Sequence, residues 1–87
     1  MTGTANILYF AALREQIGRE SQLAAIPPGG VTVTGLLGQL GAADPRVASA
    51  FAAEPRLRVA VNQTLGSLDR IVQPGDEVAI FPPMTGG

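Results

Sequence analysis

Between Thr32 and Asp44 the chain sets Val33, Leu36, Leu37 and Leu40 at the i, i+3, i+4, i+7 spacing of a single helix face. Thr32 supplies an N-cap oxygen at its start. The same stretch carries glycine at 35, 38 and 41. Each glycine weakens a helix interior by roughly 0.5–1 kcal/mol relative to alanine. Such a helix needs its apolar face laid on something broad, and a sheet is the surface of that kind. That requirement admits only folds in which helices are packed on strands.

The flanking segments supply the strands. Asn6–Phe10 (NILYF) is a short apolar run of strand formers. Ala11–Ile17 reads as a short helix with Leu13 and Ile17 one turn apart and Gly18 placed to end it. Glu20–Ile26 is a second strand, stopped by Pro27-Pro28-Gly29-Gly30. Asp44 followed by Pro45 starts another short helix, with Val47 and Phe51 on its apolar side and Pro55 just past its end. Leu57–Asn62 alternates, placing Leu57, Val59 and Val61 on one face. Leu65–Val72 is a turn with a short irregular strand, Pro74-Gly75 is a turn pair with Gly75 free to take positive φ, and Glu77–Phe81 is the closing strand. The order predicts an α+β fold: a small mixed sheet with helices packed on one face. The β-grasp and a ferredoxin-like split unit both suit this size, and the isolated closing strand after a long helix favours the β-grasp. One domain over residues 1–81 and an extended tail over 82–87 is the expected organisation.

Composition removes whole classes of function. The 87 residues carry a net charge of −1, and the six arginines are scattered, so no basic face for nucleic acid is expected. There is no Cys and no His, which removes disulfides, thiol nucleophiles, the commonest general base and the usual metal ligands. No metal site or bound cofactor is expected. No signal-like segment or membrane-length apolar run is present, so a cytoplasmic protein is the expectation. Asn62-Gln63-Thr64 matches a glycosylation pattern, but without a secretory signal it reads as chance. There is also no Lys. A compositional bias toward arginine is one account. The other is chemical: amines and thiols would capture an activated terminal acyl group, and this chain keeps almost none of either apart from its N-terminus.

The last seven residues, FPPMTGG, are the feature the fold does not require. Pro82 and Pro83 have no N–H for a ladder, so the strand stops there, and each holds the residue before it extended. Met84 and Thr85 continue the tail. Gly86 and Gly87 lack side chains and pass through a slot too narrow for any other residue. The α-carboxylate of Gly87 is ionised at neutral pH and is a poor electrophile. It must be activated, most simply as an acyl adenylate. Gly29-Gly30 lacks the lysine and the spacing of a phosphate-binding loop, so a partner must supply that step. The partner must also grip the body. Phe81, on the strand face opposite Val78 and Ile80, is a candidate handle, and Phe10 and Leu65, each at an element's edge, are candidates to join it. Core packing is the alternative for all three.

In "VNQTL", "GDEVAIFPP" and "TGG" between Val61 and Gly87, and again in "YFAALRE" from Tyr9 to Glu15, the chain resembles the MoaD family of ubiquitin-like sulfur carriers, the small subunits of molybdopterin synthase, related to the ThiS carriers. Order and length agree over nearly the whole chain. Residues 20–56 agree in pattern more than identity, and Met84 stands where a smaller apolar residue is usual. The resemblance implies a β-grasp and a site at the Gly87 carboxylate. An adenylyltransferase of the ubiquitin-activating type would adenylate it with ATP and Mg. A sulfurtransferase would then exchange the adenylate for sulfur, giving a thiocarboxylate. The tail, Pro82 to Gly87, would enter the large subunit, where sulfur passes to cyclic pyranopterin monophosphate to build the molybdopterin dithiolene. The implied assembly has two small and two large subunits. Phe10, Leu65 and Phe81 would meet both partners in turn. The small subunit is no enzyme by itself; the acid–base residues would belong to the large subunit. Carriers for thiazole or cysteine synthesis, a modifier joined to lysines, and a plain interaction domain with an inert tail are the rival readings.

Overall fold

The computed structural model describes residues 3–54 and 56–83. Pro55 and the tail residues Met84, Thr85, Gly86 and Gly87 lie outside the described residues. The elements run β1 (Gly3–Tyr9), α1 (Ala11–Ile17), β2 (Ser21–Ile26), β3 (Val31–Thr32), α2 (Val33–Ala43), α3 (Pro45–Ala53), β4 (Arg58–Val61), β5 (Thr64–Leu65), β6 (Ile71–Val72) and β7 (Glu77–Phe81).

Five strands form one sheet in the order β2-β1-β7-β4-β5. The first and last long strands, β1 and β7, lie side by side and parallel, with Ile7 opposite Val78 and Tyr9 opposite Ile80. On either flank β2 and β4 run antiparallel to them. Alternation decides the faces. Ile7, Val78 and Val61 form one row across the three central strands, and Tyr9, Ile80 and Val59 form the next. Both rows are buried. Onto them fall Leu13 and Ile17 of α1, Val33, Leu36 and Leu40 of α2, and Val47 and Ala50 of α3, so all three helices cover the same face. Each fully buried Ile or Leu contributes about 1.5–3 kcal/mol. Leu37, Phe51 and Leu57 pack at the margin of this core.

The glycine-laden α2 is held at its N-terminus by more than its core face. Thr32 Oγ1 accepts from the Gly35 N–H at 3.0 Å. The Val33 and Thr34 N–H groups donate to the carbonyls of Arg70 and Leu68. Those carbonyls belong to a segment fixed by a second, two-stranded sheet in which Val31 faces Val72 and Thr32 faces Ile71. The first helical N–H groups, which have no partner inside the helix, are thus satisfied by strand-side carbonyls. Asp44 caps α3 as expected, accepting from the Arg46 N–H at 2.9 Å, with Pro45 in the first turn.

Three details differ from the sequence reading. β1 begins at Gly3, three residues before the apolar run, because Gly3, Thr4 and Ala5 pair with Ile26, Ala25 and Ala24 of β2. Phe10 is the N-cap residue of α1 and lies beyond the last strand residue. Residues 65–72 hold the ends of two separate short strands, β5 and β6, one in each sheet. Among the described residues no helix is long and apolar enough to cross a membrane.

Candidate functional site

The site is built on the face the helices leave open. Along β7, Val78 and Ile80 go into the core, so Glu77, Ala79 and Phe81 face outward, half-buried. β7 is paired on both sides, which makes it a rigid root for whatever follows. It stops at Phe81; Pro82 and Pro83 are in no strand and are half-buried.

Phe10 and Phe81 meet. Their ring centroids lie 6.5 Å apart at an interplanar angle of 85°, the edge-to-face arrangement aromatic quadrupoles favour. The Phe10 N–H donates to the Ile80 carbonyl at 3.2 Å, extending the β1–β7 ladder by one residue. Ala11 follows with φ of 54°, a left-handed backbone that costs a non-glycine residue on the order of 1–2 kcal/mol. Phe10 remains 43% exposed, too open for a core residue.

Leu65 is on the same face, 54% exposed, but does not adjoin Phe81 directly. In the sheet Ala60 pairs with Leu65 on one side and with Ala79 on the other, while Phe81 lies opposite Arg58. Ala79 in turn pairs with Leu8. Two alanines therefore form a low floor, with Leu8, Phe81 and Leu65 around it. A groove of ≈ 210 Å³ borders this face beside Arg58, Leu65 and Leu68. Leu8, Ala60 and Ala79 were not among the sequence candidates. The signal was available: once Ile7 and Tyr9 are inward, Leu8 between them must be outward.

Two polar clusters hold the sheet that carries this face. At the start of β7, Asn62 donates through Nδ2 to Asp76 Oδ1 and accepts from the Glu77 N–H, both at 3.0 Å, and Asp76 Oδ2 accepts from the Gln73 N–H at 2.8 Å. The Gln73 N–H first, and Asn62 second, hold the Asp76 carboxyl below its ordinary range. Asn62 and Gln63 both take positive φ in the two-residue turn between β4 and β5, the twist that joins tight hairpins. At the end of β1, the buried Tyr9 sends its hydroxyl to Gln22 Oε1 at 3.0 Å, where Arg19 also donates, and Arg19 pairs with Asp44. Burial pushes the Tyr9 phenol up to about 12; Arg19 works against this and Asp44 with it.

Around the two alanines this face offers apolar contact from Leu8, Phe10, Leu65 and Phe81, with the Glu77 carboxylate at the start of β7. Among the described residues no three acidic side chains converge on a metal-sized site. Of the sequence candidates, Phe10, Leu65, Phe81, Pro82 and Pro83 have the placements given above, while Met84, Thr85, Gly86 and Gly87 lie outside the described residues.

A mixed sheet with two parallel strands at its centre and helices on one face is the β-grasp, and the molecule belongs to the ubiquitin-like architecture. The structure titled Caldiarchaeum Subterraneum Ubiquitin superposes with a TM-score of 0.59 over all of both chains, at 13% identity, a likeness of fold alone. Within that architecture the assignment is narrower. Residues 7–87 match the model described as the ThiS family, and the chain belongs to that family. A relative from Escherichia coli (strain K12), described as molybdopterin synthase sulfur carrier subunit, is 44% identical over 82 residues, covering 93% of this chain and 96% of that one. The crystal structure of H. volcanii small archaeal modifier protein 1 superposes with a TM-score of 0.78 at 26% identity, covering 94% of this chain and 99% of that one.

Proposed function

We propose that this chain is the sulfur-carrier small subunit of a molybdopterin synthase, acting in the cytoplasm and holding its sulfur at Gly87. The observation that carries the reading is the family match running through Gly87, joined to a strand at the centre of the sheet that ends at Phe81, where the tail begins. A ubiquitin-activating-type adenylyltransferase uses ATP and Mg to convert the Gly87 carboxylate to an acyl adenylate. A sulfurtransferase replaces AMP by sulfur, and a thiocarboxylate results. Pro82, Pro83, Met84, Thr85 and Gly86 lead that group into the large subunit, in an assembly of two small and two large subunits. There the sulfur goes to cyclic pyranopterin monophosphate, and Gly87 returns to a carboxylate. Holding sulfur on a covalent arm keeps sulfide from being released and makes it effectively local to its acceptor. Phe10, Phe81 and Leu65 supply the grip on both partners. Because the same face serves each in turn, neither complex is very tight. The small subunit binds no cofactor of its own, and catalysis of transfer belongs to the large subunit.

Likeness to a protein titled a small archaeal modifier supports a second reading, attachment of Gly87 to amines on other proteins. Mass spectrometry of the chain purified from its native cytoplasm separates the two. A carrier shows a fraction with one terminal oxygen replaced by sulfur; a modifier shows conjugates. The carrier reading fails if neither the thio form nor any loss of molybdopterin synthesis on gene deletion is found.

A further inference from the structure

The five-stranded sheet ends on two unequal edges. At one, β5 is two residues long and gives a stray strand little to pair with. At the other, β2 runs over Ser21–Ile26, and none of its residues is charged or proline. The register fixes which of its backbone groups are free. The Tyr9 N–H donates to the Glu20 carbonyl at 2.9 Å, so Tyr9 and Glu20 form a hydrogen-bonded pair. Antiparallel ladders alternate such pairs with unbonded ones. Gln22 and Ala24 therefore bond to Ile7 and Ala5 of β1, while Ser21, Leu23 and Ala25 turn their N–H and C=O groups outward. The Ala25 carbonyl accepts from Gln39 Nε2 of α2 at 2.8 Å, as a group pointing away from β1 must.

These outward groups are centred on Leu23, at 67% exposure the most open large apolar side chain among the described residues. Ala24 and Ile26 go into the core, so Leu23 stands on the face that the helices leave open. Edge strands are commonly guarded by a basic side chain. Arg19, the arginine nearest this edge in the chain, is instead turned to Gln22 and Asp44. On α2, Gly35 and Ala43 flank Gln39 at four residues to either side. Both are small and exposed, so the helix beside the edge leaves room for a neighbour.

We propose that a second copy of this chain covers the edge, β2 against β2 in antiparallel alignment about a two-fold axis at Leu23. A second copy is the occupant because the edge is its own complement. Under that axis Leu23 lies opposite the second copy's Leu23, and Ser21 opposite its Ala25. Every outward N–H then meets a carbonyl, and each exposed leucine is covered by the other. About six hydrogen bonds result, and the Ala25 carbonyl, with two lone pairs, keeps Gln39 as well. No like charges are brought together within the strand pair, since β2 has none. The axis uses up both edges, so pairing closes at two copies. A single strand pair is at the small end of specific interfaces, which makes the dimer reversible, with a dissociation constant on the order of 100 µM. Leu65 is on the far edge of the sheet and Phe81 two strands inward, so the contact leaves both uncovered.

Sedimentation equilibrium of the full chain from about 10 µM to about 1 mM tests this. The average mass of wild type should climb from one chain toward two. Leu23→Lys should weaken the association by about tenfold or more, with an unchanged urea midpoint because Leu23 is off the core. The chain has no Cys, so Leu23→Cys introduces a single thiol. Bonded antiparallel partners have Cα atoms about 5.5 Å apart, within disulfide reach. In a glutathione redox buffer L23C should form the linked dimer about tenfold faster than Ser67→Cys, an exposed control position just past β5. Wild type that stays a single chain up to about 1 mM overturns the proposal and leaves the edge to a strand of another protein. A dimer that L23K does not weaken overturns it too, as does L23C linking no faster than S67C.

Discussion

Tyr9 allows one electrostatic effect to be measured almost alone. The chain has one Tyr and no Lys or Cys, and arginine stays protonated, so one phenol dominates titration in the alkaline range. In the folded state burial raises its pKa from 10.0 to about 12. A group whose folded pKa is raised contributes stability that is complete below the unfolded pKa and is lost as pH rises toward the folded one. With these two values the loss is about 1.4 kcal/mol at pH 11 and about 2.3 kcal/mol at pH 12. Tyr9→Phe removes the ionisation together with the hydrogen bond to Gln22, worth about 0.5–1.5 kcal/mol. Urea unfolding should therefore find wild type more stable than the variant by that margin near neutrality. The lead should vanish at about pH 11, with the variant unaffected by the phenol. Phenolate absorbance of the native protein should rise well above the ordinary tyrosine range. A wild-type lead that is the same at both pH values, or a native phenol titrating at its ordinary value, refutes the burial argument.

Deleting Gly87, or replacing Gly86 with Trp, should leave the unfolding curve unchanged and abolish molybdopterin formation in a reconstituted synthase. Phe81→Asp should keep the fold, because Phe81 is off the core, yet raise the dissociation constant for the large subunit by about thirtyfold, a loss of roughly 2 kcal/mol expected of a buried aromatic anchor, read by calorimetric titration. Gly30→Ala should destabilise by about 2–4 kcal/mol in urea, since φ is +83° and a Cβ would lie 2.5 Å from Ile71 Cγ2 and 2.9 Å from the Val72 carbonyl. Gly75→Ala, at φ of +93° with nothing within 4 Å, should lose only about 1–2 kcal/mol.

How much of this was legible in the sequence follows from how local each signal is. The caps at Thr32 and Asp44, the stop at Gly18 and the alternation of Val78 and Ile80 each depend on a few neighbouring residues, and all four are in place. The pairing of β3 with β6 was not legible, because two-residue strands have no period to read and their partners are about forty residues apart. Nor was the left-handed backbone at Ala11, since alanine gives no local sign of it. For the site, exposure of Phe10 and Leu65 matched their places at element edges, but the meeting of Phe10 with Phe81 required knowing that β1 and β7 are neighbours. That neighbour relation is topology, and no window of sequence contains it.

The central position of β7 ties the stability of the body to the proposed work of the tail. A tail leaving an edge strand would be rooted by one ladder and would move whenever that edge frayed. Here β1 and β4 both pair with β7, and the Asn62–Asp76 cluster fixes its first residue. The core rows that include its inward residues, Tyr9–Ile80–Val59 and Ile7–Val78–Val61, are buried. Displacing the tail root therefore means opening the core, so the root should share the global unfolding free energy. The outward residues of the same strand add Ala79 and Phe81 to the open face, so the proposed docking surface and the root of the tail are one rigid unit. A partner that recognises Phe81 thereby sets where Pro82 begins. Backbone pairing therefore decides where Pro82 begins, and the proposed delivery needs from the body only that fixed root and an apolar face beside it.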